Sequence, residues 1–176
     1  EDIVAPDLAM FRELWDLCGG IIRLVDVAPE QPGGMEFIQQ AKELCTVSIA
    51  HTTADYDKAI AAFDQGITHA THLFNAMNGI HHRKPGVVGA VMDDDRVRGE
   101  LICDGFHIHP AVLRMAFRVL GDRALIVSDS MRANGMQEGD SYDLGGQMVQ
   151  VSGGKAVLPD GTIAGSVSNL HQEVKN

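Results

Sequence analysis

No apolar run in this chain approaches the length that crosses a bilayer, and no stretch reads as a signal peptide. A membrane role is therefore not expected. Basic residues are scarce: 14 Lys and Arg stand against 24 Asp and Glu, a formal net charge of −10. Nucleic-acid binding needs clustered cations, so this balance argues against it. There are only 3 cysteines, Cys18, Cys45 and Cys103, widely spaced and without a CxxC pair. That odd count provides no disulfide framework and fits a reducing compartment, so a cytoplasmic location is expected. No GxSxG elbow occurs, which removes that route to a nucleophilic serine. The pairs Gly33-Gly34 and Gly145-Gly146 lack the spacing of a nucleotide-binding loop.

What is present is an ordinary globular composition, 45% hydrophobic and 22% charged, over 176 residues. That length suffices for one domain with a real core. Pro6-Asp7 can start a helix reaching Leu17, with Leu8, Phe11, Leu14 and Trp15 on one face. Strands are expected over 21–28, 46–50, 67–73, 97–103 and 124–127. Helices are expected over 35–44, 55–65 and 110–120, with Gly66 and Gly121 as stops. The segment 75–89 reads as loop. Strands alternating with helices are the pattern of βα units on a parallel sheet. After Asp129 the texture changes to short runs such as Met148 to Val151 punctuated by Gly pairs, which read as β-hairpins. A last helix is expected over 169–176.

Seven of the 8 histidines lie between His51 and His109, several of them where an apolar run stops. Four expected strands deliver His51, His72, Asp104 with His107, and Asp129 at the same end. A parallel α/β barrel presents its catalytic groups in this way, since all its βα loops open on one face. Imidazoles with a carboxylate make a set of metal ligands and a proton carrier. An eight-stranded barrel usually takes about 200 residues or more, so this chain reads as part of a longer protein.

Each motif also has a plainer reading. His51 opens His51-Thr52-Thr53-Ala54-Asp55, where Thr53 or Asp55 can cap the next helix while His51 serves as a ligand. His69 and His72 are an odd number of residues apart and point to opposite sides of a strand, so His72 is the better ligand and His69 a satisfied core or supporting histidine. Asn75 and Ala76 follow in a loop whose backbone N–H groups can cradle a phosphate or sugar oxygen, or form an ordinary turn. His81-His82-Arg83-Lys84 is the one basic cluster. Arg83 offers a fork suited to phosphate; the plainer alternative is a solvated loop. His107 can bond a substrate hydroxyl or carbonyl, while His109-Pro110 starts a helix. Asp129 can take a proton from water and pass it to a leaving group, or cap a turn.

Taken together these residues resemble the N-acetylglucosamine-6-phosphate deacetylases of the amidohydrolase superfamily. The matching stretches are Ala28-Pro29-Glu30, His51-Thr52-Thr53-Ala54, Thr71-His72-Leu73-Phe74-Asn75-Ala76-Met77, His82-Arg83-Lys84-Pro85-Gly86, Asp104-Gly105-Phe106-His107, Ser128-Asp129-Ser130-Met131 and Asp160-Gly161-Thr162-Ile163-Ala164-Gly165-Ser166. The resemblance implies an α/β fold, a partial TIM-like barrel supplying strands four to eight over 1–139, a β-hairpin insert over 140–166, and the start of a final barrel helix over 167–176. It implies a divalent metal, zinc foremost with iron or another divalent ion as alternatives, held by His51 and His72. Asp129 matches the catalytic aspartate, His107 a substrate-contacting histidine, and Asn75 and Ala76 backbone contacts to substrate. Arg83 matches a phosphate-binding arginine delivered across a dimer interface, so a homodimer acting on a small sugar phosphate is expected.

One departure matters. The family's metal-ligand glutamate lies in a His-x-Glu-Gly-Pro stretch that this chain lacks, and Glu1 does not lie in that context. Two histidines alone make a weak site. The expected activity is hydrolysis of the N-acetylglucosamine 6-phosphate amide to glucosamine 6-phosphate and acetate, with the missing ligand supplied from elsewhere. The alternatives are another amidohydrolase acting on a different amide or cyclic imide, or a non-catalytic sugar-phosphate-binding remnant.

Overall fold

The computed structural model describes residues 4–176, so Glu1 lies outside the described residues. Ten elements come first in the chain: α1 (Leu8–Leu17), β1 (Leu24–Val27), α2 (Gly34–Ala41), β2 (Thr46–Ile49), α3 (Tyr56–Gln65), β3 (His69–Ala70), α4 (Gly86–Asp93), β4 (Arg98–Ile102), α5 (Pro110–Leu120) and β5 (Ala124–Val127). Three further strands and a helix follow: β6 (Ser141–Leu144), β7 (Gln147–Ser152), β8 (Lys155–Val157) and α6 (Leu170–Lys175). The first five strands form a mixed α/β fold's single sheet, in the sequential order β1-β2-β3-β4-β5. The β1/β2, β2/β3 and β3/β4 pairs are parallel, as crossover helices between consecutive strands require. Strands β6-β7-β8 form a separate antiparallel sheet.

Contacts divide the chain into two compact units. One comprises Glu1–Glu100 with Ala116–Leu125, the other Leu101–Met115 with Ile126–Asn176. In the first, Ile38, Val47, Ile49, Ile67, Leu73, Val87, Val88, Val91 and Val97 are fully buried. Each such side chain contributes about 1.5–3 kcal/mol of transfer free energy. In the second, Tyr142, Val149, Val151, Ala133 and Ala156 form a core over the small sheet.

Local chemistry explains most boundaries. Asp7 accepts from the Ala9 and Met10 N–H groups at the start of α1, and Asp55 accepts from Lys58 N at the start of α3. Asn169 and Gln172 form a reciprocal capping box on α6. Each cap stabilises its helix by about 1 kcal/mol. Arg123, just before β5, donates to the carbonyls of Val91, Met92, Asp94 and Val97 and so closes the C-terminal end of α4.

Three sequence expectations need correction. The strand expected over 67–73 is only His69–Ala70, because His72, Phe74 and Ala76 take positive φ and break the extended chain. The expected loop over 75–89 contains the start of α4. That helix buries Gly86, Val87, Val88, Ala90 and Val91, on most of its faces, so it carries no amphipathic stripe for a sequence reading to find. On α1, Leu14 is 48% exposed and only Phe11 is buried. Leu14 instead borders an open apolar groove of about 390 Å³ with Met10, Phe11, Val25 and Phe37.

Candidate functional site

Parallel pairing sets Ile49 opposite Ala70 at the ends of β2 and β3. Two residues beyond each, His51 and His72 leave the sheet side by side. Their Nε2 atoms are 2.9 Å apart and their ring centroids 4.6 Å apart, tilted by 55°. Both backbones have positive φ, 46° at His51 and 33° at His72. Among the described residues, the other non-glycine residues with positive φ are Phe74, Ala76 and Asp129. Each such conformation costs on the order of 1 kcal/mol or more and persists only where surrounding bonds hold it.

Those bonds are present. Glu30 accepts from Thr52 Oγ1 at 2.5 Å and from Thr53 N at 2.7 Å, pinning the turn after His51. Glu100 accepts from His72 N through Oε2 at 3.3 Å, and its backbone carbonyl accepts from Leu73 N at 2.8 Å. Asn75 folds back, with N and Nδ2 both donating to the His72 carbonyl at 3.0 and 3.1 Å.

A chain of polar side chains crosses the strands next to this pair. The Thr71 hydroxyl donates to Asp26 at 2.6 Å, and Ser48 Oγ lies 2.7 Å from Thr71 Oγ1 and 3.0 Å from His69 Nδ1. Thr71 spends its proton on a carboxylate, so Ser48 donates to Thr71 and His69 Nδ1–H donates to Ser48. His69 Nε2 lies 3.5 Å from Glu100 Oε1. Burial holds the His69 imidazole below its ordinary value, against the opposing pull of Glu100 and Asp26. His69 is thus an interior histidine bonded to Ser48 beside Glu100, while His72, beyond the end of the strand, meets His51.

Arg83 is exposed, in a tight turn where Lys84 N donates to the His81 carbonyl. Its Nη1 lies 2.6 Å from His82 Nε2. With Lys84, Asn78, Thr53, Ala54 and Tyr56 it borders a cavity of about 890 Å³. Asn78 Nδ2 donates to the Thr53 carbonyl at 3.4 Å, tying the basic loop to the turn that follows His51.

In the second unit, Asp104 Oδ1 accepts from Phe106 N and His107 N at 2.8 and 2.9 Å, and Oδ2 sits 2.7 Å from His107 Nδ1. Burial works to raise the Asp104 carboxyl, but the hydrogen bonds from His107 and Phe106 outweigh it and leave the group below the usual carboxylate range. The carboxylate directs the Nδ1 proton of His107 to itself and leaves Nε2 for another partner. His109 Nδ1 accepts from Ala111 N at 3.1 Å at the start of α5, the structural role expected of it. Asp129 has φ 44°, and its carbonyl accepts from Ser166 N at 3.0 Å. Gly165 precedes that contact at φ 70°, with Met131 packed where a side chain would stand.

The histidine pair can be tested against a metal. Two nitrogens on a tetrahedral zinc lie roughly 3.3 Å apart, close to the spacing found here. His72 Nδ1 is buried without a hydrogen-bond partner, whereas a ligating histidine ordinarily donates from its second nitrogen. Among the described residues no group of three or more His, Cys, Asp or Glu is placed to hold a metal. The spacing of the two Nε2 atoms suits two ligands on one ion, while His72 Nδ1 lacks the partner a ligand usually has. Sequence reasoning missed Glu30, Glu100 and the Asp26–Thr71–Ser48 chain as supports; for Asp26, Ser48 and Glu100 a polar residue inside a short apolar strand was the available signal, whereas Glu30 and Thr71 lie in turns beyond strand ends.

No family model matches the chain. Its curated relatives decide the comparison. The N-acetylglucosamine-6-phosphate deacetylase of Lysinibacillus sphaericus is 41% identical over 99% of this chain and 45% of its own length. That of Bacillus subtilis (strain 168) is 41% identical over 100% of this chain and 45% of its own. The chain is similar along its whole length to N-acetylglucosamine-6-phosphate deacetylases. It spans about half the length of the curated deacetylases it matches. Among solved structures, a variant deacetylase from Mycobacterium smegmatis in complex with N-acetyl-D-glucosamine-6-phosphate superposes with a TM-score of 0.91 at 37% identity, over 96% of this chain and 45% of that one. A relative from Escherichia coli O157:H7, 38% identical over 97% of this chain and 45% of its own length, is an N-acetylgalactosamine-6-phosphate deacetylase.

Proposed function

We propose that this chain is the strand-four-to-eight portion of a TIM-like barrel in a metal-dependent deacetylase. It would hydrolyse N-acetylglucosamine 6-phosphate to glucosamine 6-phosphate and acetate. On this reading residues 1–139 are barrel, 140–166 a hairpin insert and 167–176 the start of the last barrel helix. The observation that carries the reading is the convergence of His51 and His72 Nε2 atoms at adjacent strand ends, in a chain similar to deacetylases throughout.

A divalent metal held by His51, His72 and a further ligand, zinc foremost, would polarise the amide carbonyl and acidify water. The remaining roles belong to this chain. Asp129 takes a proton from water as general base and delivers it to the departing amine nitrogen as general acid; an amide needs both, because its carbon is a poor electrophile and its amine a poor leaving group. His107, its Nδ1–H held by Asp104, offers Nε2 to a sugar hydroxyl. The backbone at Asn75 and Ala76 contacts the sugar. Arg83, reaching across a homodimer interface, holds the phosphate with its guanidinium fork.

The test is acetate release from N-acetylglucosamine 6-phosphate, from the galactosamine isomer and from the unphosphorylated sugar, with the intact mass measured on the same sample. Metal-dependent release from the phosphorylated glucosamine substrate, in a sample of about twice 19.0 kDa, is the expected result; a full barrel with a small domain needs roughly that mass. A 19.0 kDa sample that binds the sugar phosphate without turnover would overturn the enzyme reading in favour of a binding remnant. Equal release from a different amide or cyclic imide would move the substrate assignment.

A further inference from the structure

We propose that Glu173, on α6, is a positioning residue for His107, fixing the Cys103–Asp104 segment that orients the imidazole. The proposal rests on the reading of His107 as a sugar-contacting side chain. Among the described residues Glu173 is the one fully buried carboxyl, 1% exposed. A carboxyl in that position costs several kcal/mol unless partnered, so its partners need a reason. Glu173 Oε2 accepts the Cys103 N–H, and Oε1 accepts the Ser168 hydroxyl. Asn176 Nδ2 donates to the Cys103 carbonyl at 3.1 Å. Both polar groups of Cys103 are thus engaged by the end of the chain.

The next residue, Asp104, holds His107 through three hydrogen bonds: one to the ring, one to the His107 backbone, and one by way of Phe106. Asp104 and His107 also face the Glu173 carboxyl, which burial pushes above its ordinary value against the bonds from Ser168 and Cys103. Helix α6 buries Glu173 alone, while its apolar residues Leu170 and Val174 are 53% and 65% exposed. The buried contact that α6 makes is thus a directional polar one. An apolar seat would hold α6 with some freedom to slide; a carboxylate on one N–H fixes the strand end in angle and depth.

The experiment reads the His107 ring directly, in the full chain labelled with ¹⁵N. Two-bond ¹H–¹⁵N spectra of the imidazoles show which ring nitrogen carries the proton, and His107→Gln assigns the signal. Wild type should show His107 as a single Nδ1-protonated tautomer. Glu173→Leu should lose that pattern to a mixture of tautomers, and Glu173→Gln, which keeps an acceptor for Cys103 N–H, should restore it. A folded Glu173→Leu variant with the wild-type His107 pattern overturns the proposal. If Glu173→Leu does not fold, Glu173→Asp decides: its shorter side chain withdraws the acceptor from Cys103 N–H, should broaden the His107 signal, and refutes the proposal if the signal is unchanged. The readout needs neither substrate nor metal, so failure of the sugar-contact reading, seen as an unaltered KM in His107→Gln, is a separate result.

Discussion

Replacing Ser48 by alanine removes one oxygen that is fully buried and serves two neighbours. The Thr71 hydroxyl keeps its bond to Asp26, so its loss is one hydrogen bond of about 1 kcal/mol. His69 fares worse. Its Nδ1–H has Ser48 as its hydrogen-bond partner, and an alanine methyl leaves that donor buried and unmatched, a penalty of about 1–3 kcal/mol. The sum is about 2–4 kcal/mol, discounted by any shift that admits water. Urea unfolding followed by far-ultraviolet circular dichroism should show the midpoint fall by roughly 1 M with an unchanged slope. A double-mutant cycle with His69→Phe should recover a coupling of at least about 0.5 kcal/mol, since both changes break the same bond. A Ser48→Ala loss under about 0.5 kcal/mol would refute the reasoning, because the His69 donor, 8% exposed, would then have lost its partner at almost no cost.

Four other outcomes are expected. His69 has its proton affinity lowered by burial, so the unfolded chain takes the proton first; its stabilising contribution is complete above pH about 6.5 and is lost as pH falls from there toward the folded value, and His69→Gln should flatten that part of a stability-against-pH curve. Arg123→Met should cost about 3 kcal/mol in chemical unfolding, because the carbonyls of Val91, Met92 and Asp94 at the end of α4 and of Val97 before β4 lose a charged donor that is only 14% exposed. In a sample that releases acetate, Asp129→Asn should abolish turnover while metal content measured by elemental analysis persists; near-normal activity would remove the proton-transfer role. Arg83→Ala should raise KM for the phosphorylated sugar about tenfold or more with kcat little changed, and an equal effect on the unphosphorylated sugar would count against a phosphate contact.

Reading residues in order was enough to find what depends on local pattern and chemistry. The end of an apolar run before His51, the Asp55 cap, the Gly66 stop and the start of α5 at Pro110 all follow from side-chain chemistry within a few positions. The same local logic separated His69, an interior histidine, from His72, although His72 lies in the turn after the strand and not on its opposite side. It failed at α4, where burial on most faces erases periodicity, and at β3, where the turn at His72 cuts the strand to two residues. Only the tertiary structure could decide that His51 and His72, 21 positions apart, meet nitrogen to nitrogen, since that depends on the parallel register of β2 and β3. It also decided that Glu30 and Glu100 hold the strained backbones beside them, and that Glu173, 70 positions along from Cys103, closes on its N–H. Sequence determines which groups a strand end carries; the pairing of strands determines which of those groups share a point in space, because hydrogen bonds act over about 3 Å whatever the separation along the chain.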